Sequence, residues 1–387
     1  MNTNRSRILF LIVLCQFCCT SLWFAGNGIM SDLITNFDLA AHVMGYLTSA
    51  VQLGFICGTL IFAVLSIADR YSPSKVFFCC AIAGAGFNLL LIYPGNELIS
   101  LIAIRFTTGF FLAGIYPVGM KIAADYFHKD LGKSLGFLVG ALVLGTALPH
   151  LINALTLNFH WHGVVYTVSL LAAAGGMIMI VFVPDGPYRK QGTKVELLAA
   201  YSIFKNVRLR QAAFGYFGHM WELYAFWTFV PVMLRQHLPD YNTSLWSFII
   251  IAIGSAGCIA GGLLSTTHGS HKVAFISLGI SLACCLLSPW VLLSGQTSVI
   301  ILLLLIWGVA VIADSPMFST LVAGAAMPAT KGTALTIVNC IGFAITIVSI
   351  QLLSAATIST SSPLVFGILA IGPVLGLITI RKSNQAL

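Results

Sequence analysis

Three ionisable residues, Arg105, Glu222 and Asp314, interrupt long apolar stretches of this sequence. An ionisable side chain at the centre of a lipid bilayer costs about 2.5–3.5 kcal/mol on insertion scales, so each such residue needs a partner or a task. A carboxyl group can bind and release a proton, and a guanidinium group can pair with an anion or with backbone carbonyls. The three residues therefore point to ion or proton chemistry inside a membrane.

Glu222 lies near the middle of its apolar stretch, and His219 precedes it by three residues. On a helix this spacing puts the imidazole on the same face as the carboxyl group, with Phe226 one turn further on. Burial and a nearby imidazole act on a carboxyl group in opposite directions, so such a pair can bind and release a proton. The alternative is that a Glu222–His219 pair, or a bond from Glu222 to a neighbouring helix, only braces the bundle.

The other two ionisable residues each allow more than one interpretation. Asp314 is either a second proton or cation site or an anchor that pairs with a cytoplasmic lysine, and Pro316 close behind it frees a backbone carbonyl. Arg105 either stabilises a proton relay or meets an anionic substrate. Alternatively, Arg105 pairs with backbone carbonyls or with an acid of its own half of the chain.

Polar and aromatic side chains accompany these residues. The first apolar stretch carries Gln16, Trp23 and Asn27, whose spacings of seven and four residues place them on one helix face. Trp221 and Trp307 add indole rings to the two stretches that hold the acids. One arginine, two acids and several aromatic rings suit a small organic solute, including a zwitterion, better than an inorganic anion.

The composition says which elements position these side chains. Of 387 residues, 58% are hydrophobic and 8% are charged, whereas a soluble domain has about 25% charged residues. This excludes a soluble multidomain enzyme and a disordered chain. With about 20 residues needed to cross the hydrocarbon and roughly 32 for a span plus its loop, the length predicts about twelve helices.

Twelve apolar runs of spanning length are present, and they lack the alternation of a membrane β-strand. In the first half they fall near 8–30, 43–67, 76–93, 98–120, 134–155 and 164–183. In the second half they fall near 210–234, 245–266, 273–293, 298–320, 332–353 and 363–380. The sequence therefore predicts an all-α membrane protein with twelve transmembrane helices.

The positive charges indicate the orientation. With the N-terminus inside, all 19 lysines and arginines except Arg105 and Arg235 fall on the cytoplasmic side. This bias predicts that both termini are cytoplasmic. It also accounts for the net charge of +8 without a nucleic-acid partner.

The longest hydrophilic interruption, 184–209, begins with a Pro/Gly turn cluster and carries much of the cytoplasmic positive charge. It predicts a six-helix bundle over 1–183, a cytoplasmic linker over 184–209 and a second six-helix bundle over 210–387. An offset of 197 residues aligns the loop at 65–75 with that at 262–272, and a similar offset brings Gly109 near Gly308. Internal symmetry of this kind is typical of secondary transporters.

The first of these loops carries Asp69-Arg70, and the fourth span carries Leu101-x-x-x-Arg105-x-x-Thr108-Gly109. With the six-plus-six layout, these motifs resemble the major facilitator superfamily over essentially the whole chain. The resemblance implies two pseudo-symmetric six-helix bundles, a central cavity lined by helices one, four, seven and ten, and a cytoplasmic gate that includes Asp69 and Arg70. A plain positively charged loop is the alternative to the gate.

Three stretches are similar to a bacterial subgroup labelled nitrate/nitrite transporter-like: 23–27, 219–224 and 314–319. Nitrate carriers of the family have an arginine on helices two and eight, and those two spans have none here. The resemblance therefore implies the subgroup label without its substrate.

We expect a secondary active transporter of a bacterial inner membrane that moves a small organic solute by alternating access, coupled to protons. It is expected to act as a monomer without a cofactor or metal. Primary ATP-driven transport is not expected, because the sequence has no phosphate-binding Gly-rich loop. An enzyme is not expected either, because no catalytic or zinc-binding cluster lies in a large loop. The alternative from another class is a non-transporting receptor or sensor on the same fold. A sensor would usually carry a large output domain, whereas the longest loop has about 26 residues.

Overall fold

The computed structural model describes residues 3–40, 42–127, 131–155, 161–189, 204–327, 330–360 and 362–381. Over these ranges the secondary structure is helical and contains no β-strand. We number the membrane-spanning segments α1 to α12 in chain order, and several of them are built from more than one helical piece.

The first six segments lie before the predicted linker. Their bounds are α1, Thr3–Thr20, Ala25–Gly28 and Met30–Asn36; α2, Val43–Val64; α3, Pro73–Leu89 with a 3₁₀ turn at Leu90–Ile92; α4, Leu98–Leu112 and Tyr116–Tyr126; α5, Leu131–Leu155; and α6, His162–Phe182. A short helix, Ile67–Arg70, lies between α2 and α3.

The second six segments follow the linker. Their bounds are α7, Val207–His237; α8, Thr243–Ala252 and Gly254–His268; α9, Ser270–Leu293; α10, Thr297–Ala313 and Ser315–Ala325; α11, Lys331–Ser359; and α12, a 3₁₀ helix at Pro363–Ala370 continued by Ile371–Arg381.

Ten of the twelve segments are long and apolar enough to cross a bilayer by length and composition alone. The other two are α1, which starts with Arg5 and Arg7 and is interrupted, and α7, which holds Glu222 among polar and aromatic side chains. Together they give the twelve-helix layout, which confirms the all-α membrane fold predicted from the sequence. The first span differs in detail, since it extends to Asn36 and is not one continuous helix.

Contacts divide the chain into two compact units, Met1–Lys194 and Val195–Leu387. Residues 190–203 of the predicted linker lie outside the described residues, so the linker itself stays a prediction.

Glycines allow pairs of helices within each unit to approach closely. In the first unit, a Cβ on Gly54 would meet the backbone of Phe106, and one on Gly109 would meet the carbonyl oxygen of Val51. In the second unit, Gly308 stands in the same way against the carbonyl of Ile250. Small residues at such contacts let membrane helices pack backbone to backbone. The predicted repeat of Gly109 and Gly308 thus corresponds to the same kind of contact, α2 with α4 and α8 with α10.

Two segments are interrupted at matching places. The second piece of α4, Tyr116–Tyr126, and the second piece of α10, Ser315–Ala325, each have 11 residues. Each carries a proline, Pro117 or Pro316, in its first turn, where the missing N–H costs no helical hydrogen bond. In α10 the residue at the interruption is Asp314 itself.

Candidate functional site

In the second unit, the carboxyl group of Glu222 is held by three donors. Glu222 lies on α7 and is 1% exposed. Its Oε1 accepts hydrogen bonds from the Ser281 hydroxyl, from Cys285 Sγ at 3.2 Å and from Trp307 Nε1 at 2.5 Å. Ser281 and Cys285 are one helical turn apart on α9, so they share a face. The Trp307 ring stacks on Phe226 with ring centroids 4.5 Å apart, which fixes the direction of the indole N–H.

His219 and Asp314 form a second buried pair in the same unit. His219 Nδ1 lies 2.8 Å from Asp314 Oδ1, and both side chains are about 1% exposed. His219 Nε2 and Asp314 Oδ2 have no hydrogen-bond partner within the described part of the chain. At this distance the imidazole nitrogen and the carboxylate oxygen form an ion pair whenever the imidazole is protonated.

This arrangement differs from the pairing expected from the sequence. His219 contacts Asp314 and not Glu222, and Asp314 contacts an imidazole and not a lysine. Residues three apart on a helix are rotated by about 60° from each other, so neighbouring side chains of α7 can point to different helices. Glu222 therefore points to α9 and the first piece of α10, while His219 points to the interruption of α10.

Arg105 of α4 is engaged with the backbone of α1. It is 1% exposed, and its Nη2 donates to the carbonyl oxygen of Trp23 at 2.5 Å and its Nη1 to that of Leu22 at 3.2 Å. Both carbonyls belong to 21–24, where α1 is interrupted. Because an interruption leaves carbonyls without helical partners, the guanidinium group supplies the missing donors. The backbone pairing considered from the sequence is thus the one the structure has.

The polar face predicted for the first span is divided by this interruption. Gln16 is fully buried, and neither atom of its amide has a hydrogen-bond partner in the described residues. Asn27 donates to the hydroxyl of Thr48 on α2 at 2.9 Å. Trp23 packs its ring on Phe55 of α2 with centroids 4.7 Å apart. Asn27 and Trp23 therefore connect α1 to α2, whereas the Gln16 amide keeps its bonding capacity.

The two tryptophans predicted for the cavity have different neighbours. Trp307 donates to Glu222, as described, whereas Trp221 Nε1 donates to the carbonyl oxygen of Ile368 on α12 at 3.1 Å. Sequence reasoning missed Ser281 and Cys285, because neutral side chains in an apolar span give little signal. Their spacing of four residues, which places both on one helix face, was the only signal in the sequence that could have indicated them.

At one end of the first unit, Asp69 belongs to a cluster of charged residues. Lys121 Nζ lies 2.8 Å from Asp69 Oδ1 and 3.8 Å from Asp125 Oδ1. Arg189 pairs with Asp185 at 2.5 Å and donates to the backbone carbonyl of Asp69 at 3.2 Å. The cluster ties the loop after α2, the end of α4 and the segment after α6 to one another.

Arg70, the second residue predicted for the gate, has an exposed side chain. Across the described residues it takes part in none of the ion pairs. The loop reverses at Ser66, whose φ of 51° lies in the left-handed region. Asp69 is therefore positioned by the turn, while Arg70 faces solvent.

The sequence model of the Major Facilitator Superfamily matches residues 12–350. The chain is 20% identical over 381 residues to the bicyclomycin resistance protein homolog of Haemophilus influenzae, covering 95% of this chain and 94% of that protein. It is 25% identical over 308 residues to the uncharacterized transporter YgaY of Escherichia coli O157:H7, covering 76% of this chain and 75% of that protein.

Among solved structures, a mutant of the nucleoside transporter NupG matches with a TM-score of 0.75 and 15% sequence identity. The match covers 97% of this chain and 99% of that one. At this identity the likeness concerns the fold alone.

Proposed function

Because the chain belongs to the Major Facilitator Superfamily, we propose that it is a secondary active transporter that moves a small organic solute by alternating access and is driven by protons. The observation that carries the proposal is the pair of buried carboxyl groups in the second unit, Glu222 and Asp314. Such groups are expensive inside a membrane and mark proton or substrate pathways there.

Glu222 is the proposed coupling residue. Its described partners are a hydroxyl, a thiol and an indole N–H, all neutral, so its charge is set by a proton and not by a fixed cation. Three donors on one oxygen hold the carboxyl group in place through a protonation cycle. A proton taken up from one side and released to the other would link the cycle to the proton gradient.

His219 and Asp314 are the proposed second proton-binding pair. The 2.8 Å separation allows a proton to be shared between the imidazole and the carboxyl group. Because Asp314 lies at the interruption of α10, a change in this pair acts on the backbone where that helix is discontinuous.

For the substrate we propose a small organic molecule. Arg105 is occupied by the carbonyls of α1, which leaves Gln16, with its unpaired amide, as the stronger candidate for a direct contact in the first unit. Trp23, Asn27 and Trp307 remain proposed cavity residues. Trp221 also remains one, although its indole N–H already donates to α12. The related bicyclomycin resistance protein homolog is named for an organic compound. We do not propose nitrate or nitrite as the substrate, although the resembling subgroup is labelled with these anions.

The remaining features of the proposal follow from the sequence. We place the protein in a bacterial inner membrane with both termini in the cytoplasm, acting as a monomer, and we assign the Asp69 cluster and Arg70 to the cytoplasmic gate. The ion pair of Asp69 with Lys121 supports this assignment, since it joins the connection after α2 to the end of α4.

The test uses the variant Glu222→Gln in proteoliposomes. A thermal-shift screen of the purified protein against metabolites and antibiotics first identifies a solute that binds. Gln keeps the size and the hydrogen-bonding capacity of Glu but cannot cycle a proton. We expect this variant to lose accumulation of the solute against its gradient while it keeps exchange and downhill movement. Wild-type transport should depend on pH, and the variant should lack that dependence.

The matched control is Asp240→Asn, which removes a carboxylate from an exposed loop and should leave accumulation unchanged. Concentrative transport by Glu222→Gln with the wild-type pH profile would end the coupling proposal. Lack of any solute movement by the wild-type protein, with binding intact, would favour a receptor.

A further inference from the structure

The second unit has a groove that the transport proposal does not use. It lies between α8, α9 and α10 and has a volume of about 450 Å³. Its floor is formed where α8 and α10 touch. An added Cβ on Gly257 would lie 2.5 Å from the carbonyl oxygen of Val309, and one on Gly261 would lie 2.7 Å from that of Ala313. Because the two backbones meet there, the groove is shallow but well defined.

The walls of the groove are apolar and uncovered. Leu264 of α8, Ile276 and Ile280 of α9 and Ile306 of α10 are between 44% and 51% exposed. In segments that cross a bilayer, such side chains meet lipid and not water. The groove therefore opens toward the hydrocarbon.

The length of the groove fits one leaflet. Along α9 it runs from Lys272 to Ile280, and the eight helical steps between these residues rise by about 12 Å. One leaflet of the hydrocarbon core is about 15 Å thick, half of the whole core. An acyl chain lying in the groove would thus have its polar end near Lys272.

That end of the groove is basic. His268 and Lys272 are exposed and line it, and Lys272 has no ion-pair partner in the described residues. Of the acids between 204 and 381, Glu222 and Asp314 are buried and Asp240 follows α7 on the opposite side of the predicted topology. No described acidic residue of this unit therefore neutralises the basic end.

The matching end of the first unit carries a charged pair that the second unit lacks. The offset that aligns the two loops puts Thr266 at the position of Asp69, and Thr320 stands at the position of Lys121 on the second piece of α10. The ion pair that closes this end of the first unit is thus absent from the corresponding residues of the second. What remains is a cationic end on an apolar groove.

We propose that the groove binds one anionic phospholipid, with an acyl chain against α8, α9 and α10 and the phosphate beside Lys272 and His268. The apolar walls match the chain, the uncompensated lysine matches the phosphate, and the distance between them matches a leaflet. Basic pockets between transmembrane helices bind anionic head groups in this way. The inference does not depend on the transport proposal.

The experiment is native mass spectrometry of the purified full chain titrated with phosphatidylglycerol or with phosphatidylcholine. We expect one phosphatidylglycerol to be retained more strongly than phosphatidylcholine. Lys272→Gln should weaken that retention about fivefold, the factor for one lysine near an anionic lipid surface. The matched control Lys331→Gln removes an exposed lysine outside the groove and should have no effect.

A second pair of variants tests the groove itself. Ala260→Phe fills it from an exposed position, whereas Ala256→Phe adds the same ring one turn away and outside the lining. Only Ala260→Phe should reduce lipid retention, and both variants should unfold at the wild-type temperature. Equal retention of the two lipids, or equal effects of Lys272→Gln and Lys331→Gln, would overturn the proposal. So would displacement of phosphatidylglycerol by millimolar inorganic phosphate, which would assign the basic end to a free anion.

Discussion

The substitution Arg105→Lys tests whether the guanidinium group supports the interruption of α1. Lysine keeps the positive charge, so the cost of placing a charge in the membrane is nearly unchanged. Lysine does not have the planar fork of two N–H groups that reaches the carbonyls of Leu22 and Trp23 together. We therefore expect the variant to keep one of these two hydrogen bonds and to lose the other.

The size of the effect follows from that single bond. A hydrogen bond to a charged group contributes about 1.5–3 kcal/mol. For a body of 150–250 residues, each kcal/mol shifts the unfolding temperature by about 2–4 °C, and the first unit spans Met1–Lys194. The melting temperature of Arg105→Lys should therefore fall by roughly 3–12 °C.

The protein supplies its own reporter for this measurement. Cys15, Cys18 and Cys19 are buried in α1, within two turns of the interruption. A fluorogenic thiol-reactive dye added during a temperature ramp reacts with them once this region opens. Arg381→Lys is the matched control, because Arg381 is exposed at the end of α12, and it should melt as the wild type does.

An unchanged melting temperature for Arg105→Lys would refute the reasoning. If the variant were stable but required a much higher solute concentration for half-maximal transport, Arg105 would act on the substrate and not on α1. A lower melting temperature with unchanged transport affinity is the result that the observed contacts predict.

Three further predictions follow from the loops and the helix contacts. Single cysteines at Lys194, which lies outside the described residues, and at Asp240 should be labelled from opposite sides of the membrane, and labelling from the same side would contradict the twelve-span topology. Asp69→Asn removes an ion pair worth about 0.2–1 kcal/mol, so the protein should stay folded while its transport rate or cytoplasmic accessibility changes. If neither changed, Asp69 would belong to a plain charged loop and not to a gate. Gly109→Ala should lower the melting temperature because its methyl group meets backbone, whereas Gly86→Ala, with open space around it, should not, and equal melting temperatures would argue against the close packing of α2 and α4.

The fold was largely predictable because its main determinant is apolar length. Runs of about 20 apolar residues leave few alternatives to a membrane helix, and ten segments meet that criterion by composition alone. The interruption at 21–24 was not predicted, because no proline or glycine lies within these four residues, although Gly26 and Gly28 follow them. The donors to its carbonyls come from Arg105, a residue more than eighty positions away.

The sequence predicted which residues belong to the candidate site, but not which of them bond to one another. Glu222, Asp314 and Arg105 were identified because a membrane excludes charge, and all three are buried. Their partners are set by how neighbouring helices pack, which local spacing does not encode. His219 and Glu222 therefore share a helix face in the sequence but bond to different residues: Glu222 to α9 and the first piece of α10, and His219 to Asp314 at the interruption of α10. Ser281 could not be predicted, because its contact with Glu222 depends on α9 packing beside α7.

The matched pieces Tyr116–Tyr126 and Ser315–Ala325 have a mechanical consequence. Each is an α-helix of 11 residues, about 16 Å long. A tilt of about ten degrees around its N-terminal end would displace its C-terminal end by roughly 3 Å. The residue directly before Tyr116–Tyr126 is Ile115, and the residue directly before Ser315–Ala325 is Asp314. Isoleucine cannot bind or release a proton, whereas aspartate can, so of these two positions only the one before the second piece carries an ionisable group. Under the proposed proton coupling, a change in the protonation of Asp314 would therefore act directly on Ser315–Ala325, whereas Tyr116–Tyr126 could move only in response to its neighbours.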